Sequence, residues 1–82
     1  LTALGDFGAY AMPEMNGTVT LYGIEPGSRA EASGLKVGDV ITTIDGQSPR
    51  HFNPDALLKT IAAKGTRLGI VRAGATIEVV AQ

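Results

Sequence analysis

The fold of this chain is decided by residues 23–46, which have the sequence GIEPGSRAEASGLKVGDVITTIDG. Ser28 and Glu31 form a capping box, in which the hydroxyl and the carboxylate each accept one free N–H group, so a short helix is expected to begin there. Gly34 occupies the position where a residue with positive φ ends such a helix. The segment Val40–Ile44 is rich in β-branched residues and predicts a strand. The stretch therefore predicts a strand, a short helix and a second strand joined by tight turns.

A hairpin is expected immediately before this stretch. Thr18–Ile24 is dense in β-branched and aromatic residues, which favours a strand, and Ala9–Met12 predicts a shorter strand before it. The Asn16-Gly17 pair between the two strands predicts a type I′ turn, because both residues tolerate positive φ.

One longer helix and a second hairpin follow the stretch. Asn53 is a good N-cap and Pro54 suits the first helical position, so this helix is expected to span Pro54–Ala63. Its apolar residues recur at helical spacing, and Lys64-Gly65 is typical of a helix end. The second hairpin is expected to consist of the strands Arg67–Val71 and Thr76–Val80 and the turn Ala73-Gly74.

These elements predict an α+β domain that is mainly β. The most economical arrangement is a small antiparallel sheet or partly open β-barrel of five to six strands, capped by one short and one longer helix. The 82 residues allow a single domain over residues 1–82. Because the chain starts at Leu1, without a Met or a signal-peptide pattern, we expect it to be a piece of a longer protein.

Composition excludes several classes of function. Lys and Arg total 7 against 8 Asp and Glu, which leaves no positive excess for a phosphate backbone, so nucleic acid is not an expected partner. No apolar run approaches the ~18 residues of a membrane-spanning helix, so direct membrane insertion is not expected. The absence of cysteine excludes disulfides, thiolate metal sites and a cysteine nucleophile.

The residues give little support to catalysis. His51 is the only histidine, and one histidine with scattered carboxylates makes a poor zinc site. The residue types of a hydrolytic triad are present in Ser48, His51 and Asp45. The local pattern, however, offers neither a nucleophile elbow nor an oxyanion hole. The glycines form no nucleotide-binding loop. We therefore expect no catalytic residues, no bound metal and no cofactor.

Residues 23–46 resemble the signature stretch of a PDZ domain: a strand, a Pro-Gly-Ser turn, a short alanine-rich helix, Gly-Leu, a Gly-Asp turn, a strand and Asp-Gly. The closing hairpin, from Gly65-Thr66-Arg67 to Arg72-Ala73-Gly74, resembles that of bacterial PDZ domains, so the resemblance covers residues 4–82. The order of the elements is similar to that of PDZ domains attached to bacterial envelope proteases.

This resemblance implies a peptide-binding module that captures an extended segment or a C-terminus by adding it as a strand beside a helix. The exposed strand edge is expected at Ala9–Met12, facing the helix at residues 53–63. The loop whose N–H groups bind the terminal carboxylate is matched to Phe7-Gly8-Ala9, with Leu4-Gly5 as an alternative register. The expected peptide-binding residues are Phe7, Gly8, Ala9, Tyr10, Ala11, Met12, Pro54 and Leu58.

Two residues depart from the family pattern. Ala9 is small where a larger apolar residue is usual, and Asp6 places a negative charge near any bound carboxylate. At roughly 5–6 Å that repulsion costs about 1 kcal/mol if the effective dielectric constant is near 50–60. Both an internal segment and a free C-terminus therefore stay open as the kind of ligand. On the family pattern Pro54 governs the third-from-last ligand residue, and Leu58 either lines the groove or belongs to the core.

The resemblance also implies a partner and a setting. The partner is a peptide or protein segment, and the module is expected to serve a larger bacterial protease by tethering substrates or by holding the protease inactive until a ligand arrives. Trypsin-like, membrane-embedded metalloprotease and other peptidase types stay open, and a periplasmic or cell-envelope location is favoured. The alternative is a structural module that packs on a neighbouring domain or a secretion partner and binds no free peptide. An open groove favours the first interpretation, and a groove filled by the domain's own side chains favours the second.

Overall fold

Six β-strands and two α-helices make up the fold. The structure is a computed structural model and describes residues 2–82. In chain order the elements are β1 (Thr2–Ala3), β2 (Ala9–Pro13), β3 (Val19–Ile24), α1 (Arg29–Ala32), β4 (Val40–Ile44), α2 (Pro54–Ile61), β5 (Arg67–Arg72) and β6 (Ala75–Val80). Single 3-10 turns at Gly5–Phe7 and Pro49–His51 precede β2 and α2.

The strands form one antiparallel sheet whose spatial order is β1-β2-β3-β4-β5-β6. Each strand pairs with its neighbour in the chain, so no connection crosses the sheet. The most regular ladder joins β5 to β6, where pairing runs without interruption from Arg67 opposite Val80 to Arg72 opposite Ala75. The predicted fold class, a small antiparallel sheet with one short and one longer helix, is confirmed.

The residues that predicted the start and end of α1 are placed accordingly. The Ser28 hydroxyl accepts the Glu31 N–H at 3.1 Å, and the Glu31 carboxylate accepts the Gly27 N–H at 2.9 Å. Gly34 follows the helix with a φ of 89°, which disfavours any residue that has a Cβ. Leu35 comes next and is buried, so it packs the turn against the core.

The turn at Asn16-Gly17 differs from the predicted type I′. Gly17 has a φ of 88°, but Asn16 is not among the residues with positive φ. The Gly17 N–H donates to the Glu14 carbonyl at 3.0 Å, and the Glu14 N–H donates to the Thr18 carbonyl at 2.8 Å. The Asn16 side-chain oxygen accepts hydrogen bonds from both the N–H and the hydroxyl of Thr18. These side-chain bonds stabilise a longer loop than the Asn-Gly pair alone predicts.

The core lies along the inner face of the sheet and against the two helices. Leu57 and Ile61 of α2 are four residues apart, so they share the helix face that packs into it. α2 ends at Ile61, two residues earlier than predicted. Within residues 2–82, no helix has both the length and the apolar character needed to cross a membrane. The other buried apolar residues of the sheet and of α1 include Val19, Leu21, Ala30, Ile41, Ile44, Leu68, Ile70 and Val79.

An ion pair between a buried carboxylate and a half-buried arginine ties the turn before β4 to β5. The Asp39 side chain is 1% exposed and accepts Nε and Nη2 of Arg72 on its two oxygens, each at 2.8 Å. The Lys36 N–H also donates to Asp39, and Arg72 donates to the Gly34 carbonyl, both at 2.8 Å. Burial alone would raise the pKa of Asp39, but the hydrogen bonds and charge of Arg72 and the Lys36 N–H outweigh it and lower that pKa.

Candidate functional site

Phe7-Gly8-Ala9 forms the junction between the first 3-10 turn and β2. The Phe7 side chain is fully buried. Gly8 has a φ of 83°, its carbonyl accepts the Glu25 N–H at 2.8 Å, and a Cβ added to it would collide with the side chain of Ser28. Only glycine fits this position without strain, so the loop has one defined course into the strand.

The outer edge of β2 is covered by residues 2–4 of the chain itself. The two residues of β1 pair antiparallel with Tyr10 and Ala11. The N–H of Leu4, the next residue, donates to the Ala9 carbonyl at 2.9 Å. The expectation that Ala9–Met12 is the free edge of the sheet is therefore wrong, because β1 is the outermost strand.

Residues 2–4, called the resident segment below, lie along the edge of β2 where an added peptide would lie: Thr2–Ala3 form β1, and Leu4 leads into the 3-10 turn. Leu4 is buried, with 6% exposure, whereas Thr2 and Ala3 are exposed. The Leu4 carbonyl accepts the Phe7 N–H at 3.1 Å. The Phe7 N–H, which was expected to donate to a ligand's terminal carboxylate, thus donates to a neutral main-chain carbonyl instead.

Small side chains on the inner face of β2 leave room for Leu4. Ala9 and Ala11 are both buried, and they alternate with Tyr10 and Met12, which are about one-third exposed. Because successive residues of a strand point to opposite faces, the two alanines face the core side of the sheet. The small residue at position 9, which departs from the family pattern, therefore lies where Leu4 supplies the missing apolar bulk.

The outer face of β2 is held by a polar contact. The Tyr10 hydroxyl donates to the Glu25 carboxylate at 2.6 Å. This hydrogen bond and the negative charge of Glu25 raise the pKa of Tyr10. The ring lies over Gly23 on β3, where a Cβ would come within 2.9 Å of Tyr10 Cδ2. Tyr10 is therefore turned away from the inner face and lies on the outer face of the sheet.

Two cavities lie along α2. The first has a volume of about 360 Å³, and its walls include the resident segment on one side and the half-buried Leu58 on the other. The second, of about 330 Å³, lies between the β2–β3 hairpin and the start of α2, and its walls include Pro13, Phe52 and Pro54. Neither cavity is lined by residues 7–12. The structure thus places Leu58 and Pro54 at different openings, and neither opening reaches the covered edge of β2.

Arg29 is the residue near the loop that the sequence analysis missed. Its guanidinium lies 5.3 Å from the centre of the Phe7 ring and 3.4 Å from the Asp6 carboxylate. It also donates to the carbonyls of Ala62, at the end of α2, and of Gln82. A cation at this position offsets the charge of Asp6. Only the tertiary fold brings Arg29 here, since in the sequence it is an ordinary first residue of a short helix.

The comparisons with known proteins agree with one another on the fold. The sequence profile described as PDZ domain matches residues 7–72. Whirlin of Mus musculus is 42% identical over 43 residues, which make up 52% of this chain and 5% of whirlin. A PDZ domain protein from Parabacteroides distasonis ATCC 8503 superposes with a TM-score of 0.76 at 22% identity, covering 93% of this chain and 19% of that chain.

A protease gives a similar superposition. The HtrA-type protease AlgW, in a variant form with a decapeptide, superposes with a TM-score of 0.69 at 21% identity. The superposition covers 93% of this chain and 27% of the protease chain. The chain therefore corresponds to a small part of each of these three proteins.

Proposed function

Because this chain belongs to the PDZ domain family, whose members are non-catalytic, peptide-binding interaction modules, we propose that it binds an extended peptide by strand addition to β2. The observation that carries this proposal is that β2 already holds an extended, antiparallel strand on its outer edge. A peptide in that position satisfies the same main-chain groups, and its affinity comes from those hydrogen bonds and from one buried side chain.

The ladder that a peptide can form on β2 is short. The Ala9 carbonyl accepts a hydrogen bond at this edge, and the alternation of main-chain groups along a strand places those of Ala11 and Pro13 on the same edge. Proline has no N–H to donate, so the ladder loses a donor at Pro13. The ligand residues that precede this point are free to leave β2 toward the cavity beside Pro54.

The binding pocket of this proposal is the site that Leu4 fills. A ligand side chain in its place packs over Ala9 and Ala11, above Phe7, and faces Leu58 on α2. The Phe7 N–H, which the Leu4 carbonyl accepts in this structure, donates to the ligand's last carbonyl or carboxylate. The side chains of Tyr10 and Met12 point to the outer face of the sheet, and by the same alternation their main-chain groups face β3, so these two residues act by holding β2 in place.

We propose that the module serves a larger bacterial protease of the periplasm or cell envelope. The superposition on the HtrA-type protease with a decapeptide supports this setting, as does the likeness to a PDZ domain protein from Parabacteroides distasonis. In that setting the module tethers substrates or releases the protease when a ligand binds. The protease itself lies outside this chain.

A second function is structural. The covered edge of β2 favours it, because the pocket is filled by the domain's own Leu4 rather than left open. On this interpretation the module packs against a neighbouring domain or a secretion partner and binds no free peptide.

A variant on α2 separates the two functions. Leu58→Asp places a charge in the wall of the proposed groove, and we expect it to weaken peptide binding at least tenfold, which corresponds to about 1.4 kcal/mol. Ala56→Asp adds the same charge to an exposed position of α2 that lines neither cavity, so it is the matched control. Binding is measured by NMR titration with apolar C-terminal and internal peptides. If no peptide shifts the amides of residues 7–12 at millimolar concentration, the structural function is the better account.

A further inference from the structure

We infer that the resident segment is a built-in competitor for the peptide-binding edge, and that the ligand replacing it is an extended peptide with a leucine-sized side chain for the Leu4 pocket. This inference rests on the proposed function and adds a mechanism that would regulate peptide binding. The edge is closed while residues 2–4 lie on β2, and it opens when they leave.

The main-chain contacts of the resident segment are those a ligand needs. Its direction is antiparallel to β2, and its last residue donates to the Ala9 carbonyl at 2.9 Å. The carbonyl of that residue accepts the Phe7 N–H at 3.1 Å. A bound peptide cannot form these hydrogen bonds while the segment forms them, so the two must exclude each other.

The attachment of the segment depends on one side chain. Leu4 is buried among the core residues, while the two described residues of β1, Thr2 and Ala3, are exposed. The segment also lies before the stretch that the PDZ profile matches, residues 7–72. Its release therefore removes one leucine from the core and leaves the pairing of β2 with β3 in place.

Gly5 is a suitable hinge for release of the segment. Gly5 follows Leu4 with a φ of 57°, and no heavy atom lies within 4 Å of the place where its Cβ would be. Two residues later, Phe7 is fixed by burial and by the Arg29 guanidinium over its ring. The segment can therefore swing about Gly5 while the loop that receives the ligand keeps its place.

A reversible cross-link tests the inference. Ala3 and Tyr10 are direct cross-strand partners, and the native chain has no cysteine, so the double variant Ala3→Cys/Tyr10→Cys allows a single disulfide. In an antiparallel pair without mutual hydrogen bonds the Cα atoms are about 4.5 Å apart, which is within the range of a disulfide. The oxidised form locks the segment on β2, and the reduced form leaves it free.

The probe is a fluorescent peptide with the sequence of residues 1–4, Leu-Thr-Ala-Leu, prepared with a free carboxylate and as the C-terminal amide. We expect the reduced variant to bind it at least tenfold more tightly than the oxidised variant, with equal affinities for the native chain under both redox conditions. Equal binding by the two forms of the variant would overturn the competition but leave peptide binding standing. Binding by neither form would overturn the proposed function itself.

A second variant opens the pocket without a cross-link. In Leu4→Asp the segment could stay on β2 only with a buried charge, so it is expected to leave. We therefore expect peptide affinity to rise at least tenfold over the native chain. Met15→Asp, at a fully exposed side chain of the β2–β3 loop, is the charge control. Native amide shifts for β4, β5 and β6 show that the fold is retained. Weaker binding by a folded Leu4→Asp variant would contradict the inference.

Discussion

The two ends of the sheet are held together by very different means. At one end, called the strong end below, the β5–β6 ladder is unbroken and the buried Asp39 carboxylate is paired with Arg72. At the other, β1 pairs with β2 over Thr2–Ala3, and of the described residues before Gly5 only Leu4 is buried. This small domain thus concentrates its stability away from the proposed ligand edge, so that edge can change partners without unfolding the rest.

The magnitude of the weaker attachment decides whether a peptide can replace it. Burying one leucine contributes about 1.5–3 kcal/mol, and the few hydrogen bonds of β1 exchange with water at little net gain. A peptide that buries a similar side chain and adds contacts of its own can exceed this. Each 1.4 kcal/mol that the resident segment contributes lowers the apparent affinity of the peptide about tenfold.

At the strong end, the largest loss of stability is expected on replacing Arg72. Arg72→Met leaves the buried Asp39 carboxylate without its counter-charge, and we expect a loss of about 3–5 kcal/mol in the free energy of unfolding, measured by urea denaturation. Arg67→Met is the matched control on the same strand, because Arg67 lies 3.9 Å from Asp45 with both side chains at least half exposed. Such surface pairs contribute about 0–1 kcal/mol. Equal losses in the two variants would show that burial of the Asp39–Arg72 pair does not matter.

Acid should weaken the same end. The pKa of Asp39 is lower in the folded chain than the value of about 3.9 expected in the unfolded chain. Its stabilising contribution is therefore fully present above about pH 4 and is lost as the pH falls through the folded pKa. We expect the stability difference between the native chain and Asp39→Asn to shrink steadily below pH 4 in denaturation at a series of pH values. A constant difference down to pH 2 would contradict this assignment.

Two leucines allow the ends to be compared directly. Leu35 and Leu4 are similarly buried, but Leu35 lies under the turn after α1 and cannot leave without unfolding it. We expect Leu35→Ala to cost about 2–4 kcal/mol and Leu4→Ala only about 1–2 kcal/mol, since the loss at Leu4 cannot exceed the free energy that holds the segment on β2. Chemical denaturation measures both. A larger loss at Leu4 would make the segment part of the stable core.

The sequence predicted the strong end better than the weak one. The strand at Val40–Ile44 and the turn at Gly34 follow from local patterns, because β-branched residues and a required positive φ leave few alternatives. The segment Thr2–Ala3 carries no pattern, since two residues show neither alternation nor propensity. The Asp39–Arg72 pair spans 33 residues of sequence, so only the assembled sheet brings its partners together.

The candidate site divides in the same way. The Asn16-Gly17 turn and the Asn53-Pro54 helix start indicated where strand β2 and helix α2 lie, and the site residues assigned on these elements are local to them. What covers the edge of β2 could not be predicted, because it depends on how the chain before Gly5 folds back. The contact between Arg29 and Phe7 was missed for the same reason, since it joins α1 to a loop that is distant in sequence.

The smallest expected difference concerns two glycines, one at each end. Gly8 and Gly34 have nearly the same φ, 83° and 89°, so alanine is strained at both by a similar amount. At Gly34 no heavy atom lies within 4 Å of the added Cβ, whereas at Gly8 the Cβ collides with Ser28. We expect Gly34→Ala to cost about 1 kcal/mol and Gly8→Ala about 2–3 kcal/mol, because overpacking adds to the backbone strain. Urea denaturation of the two variants isolates the collision, since the backbone contribution is shared. Equal losses would mean that the loop moves away from α1 at little cost, and the proposed ligand-binding loop would then be as loosely held as the segment that covers it.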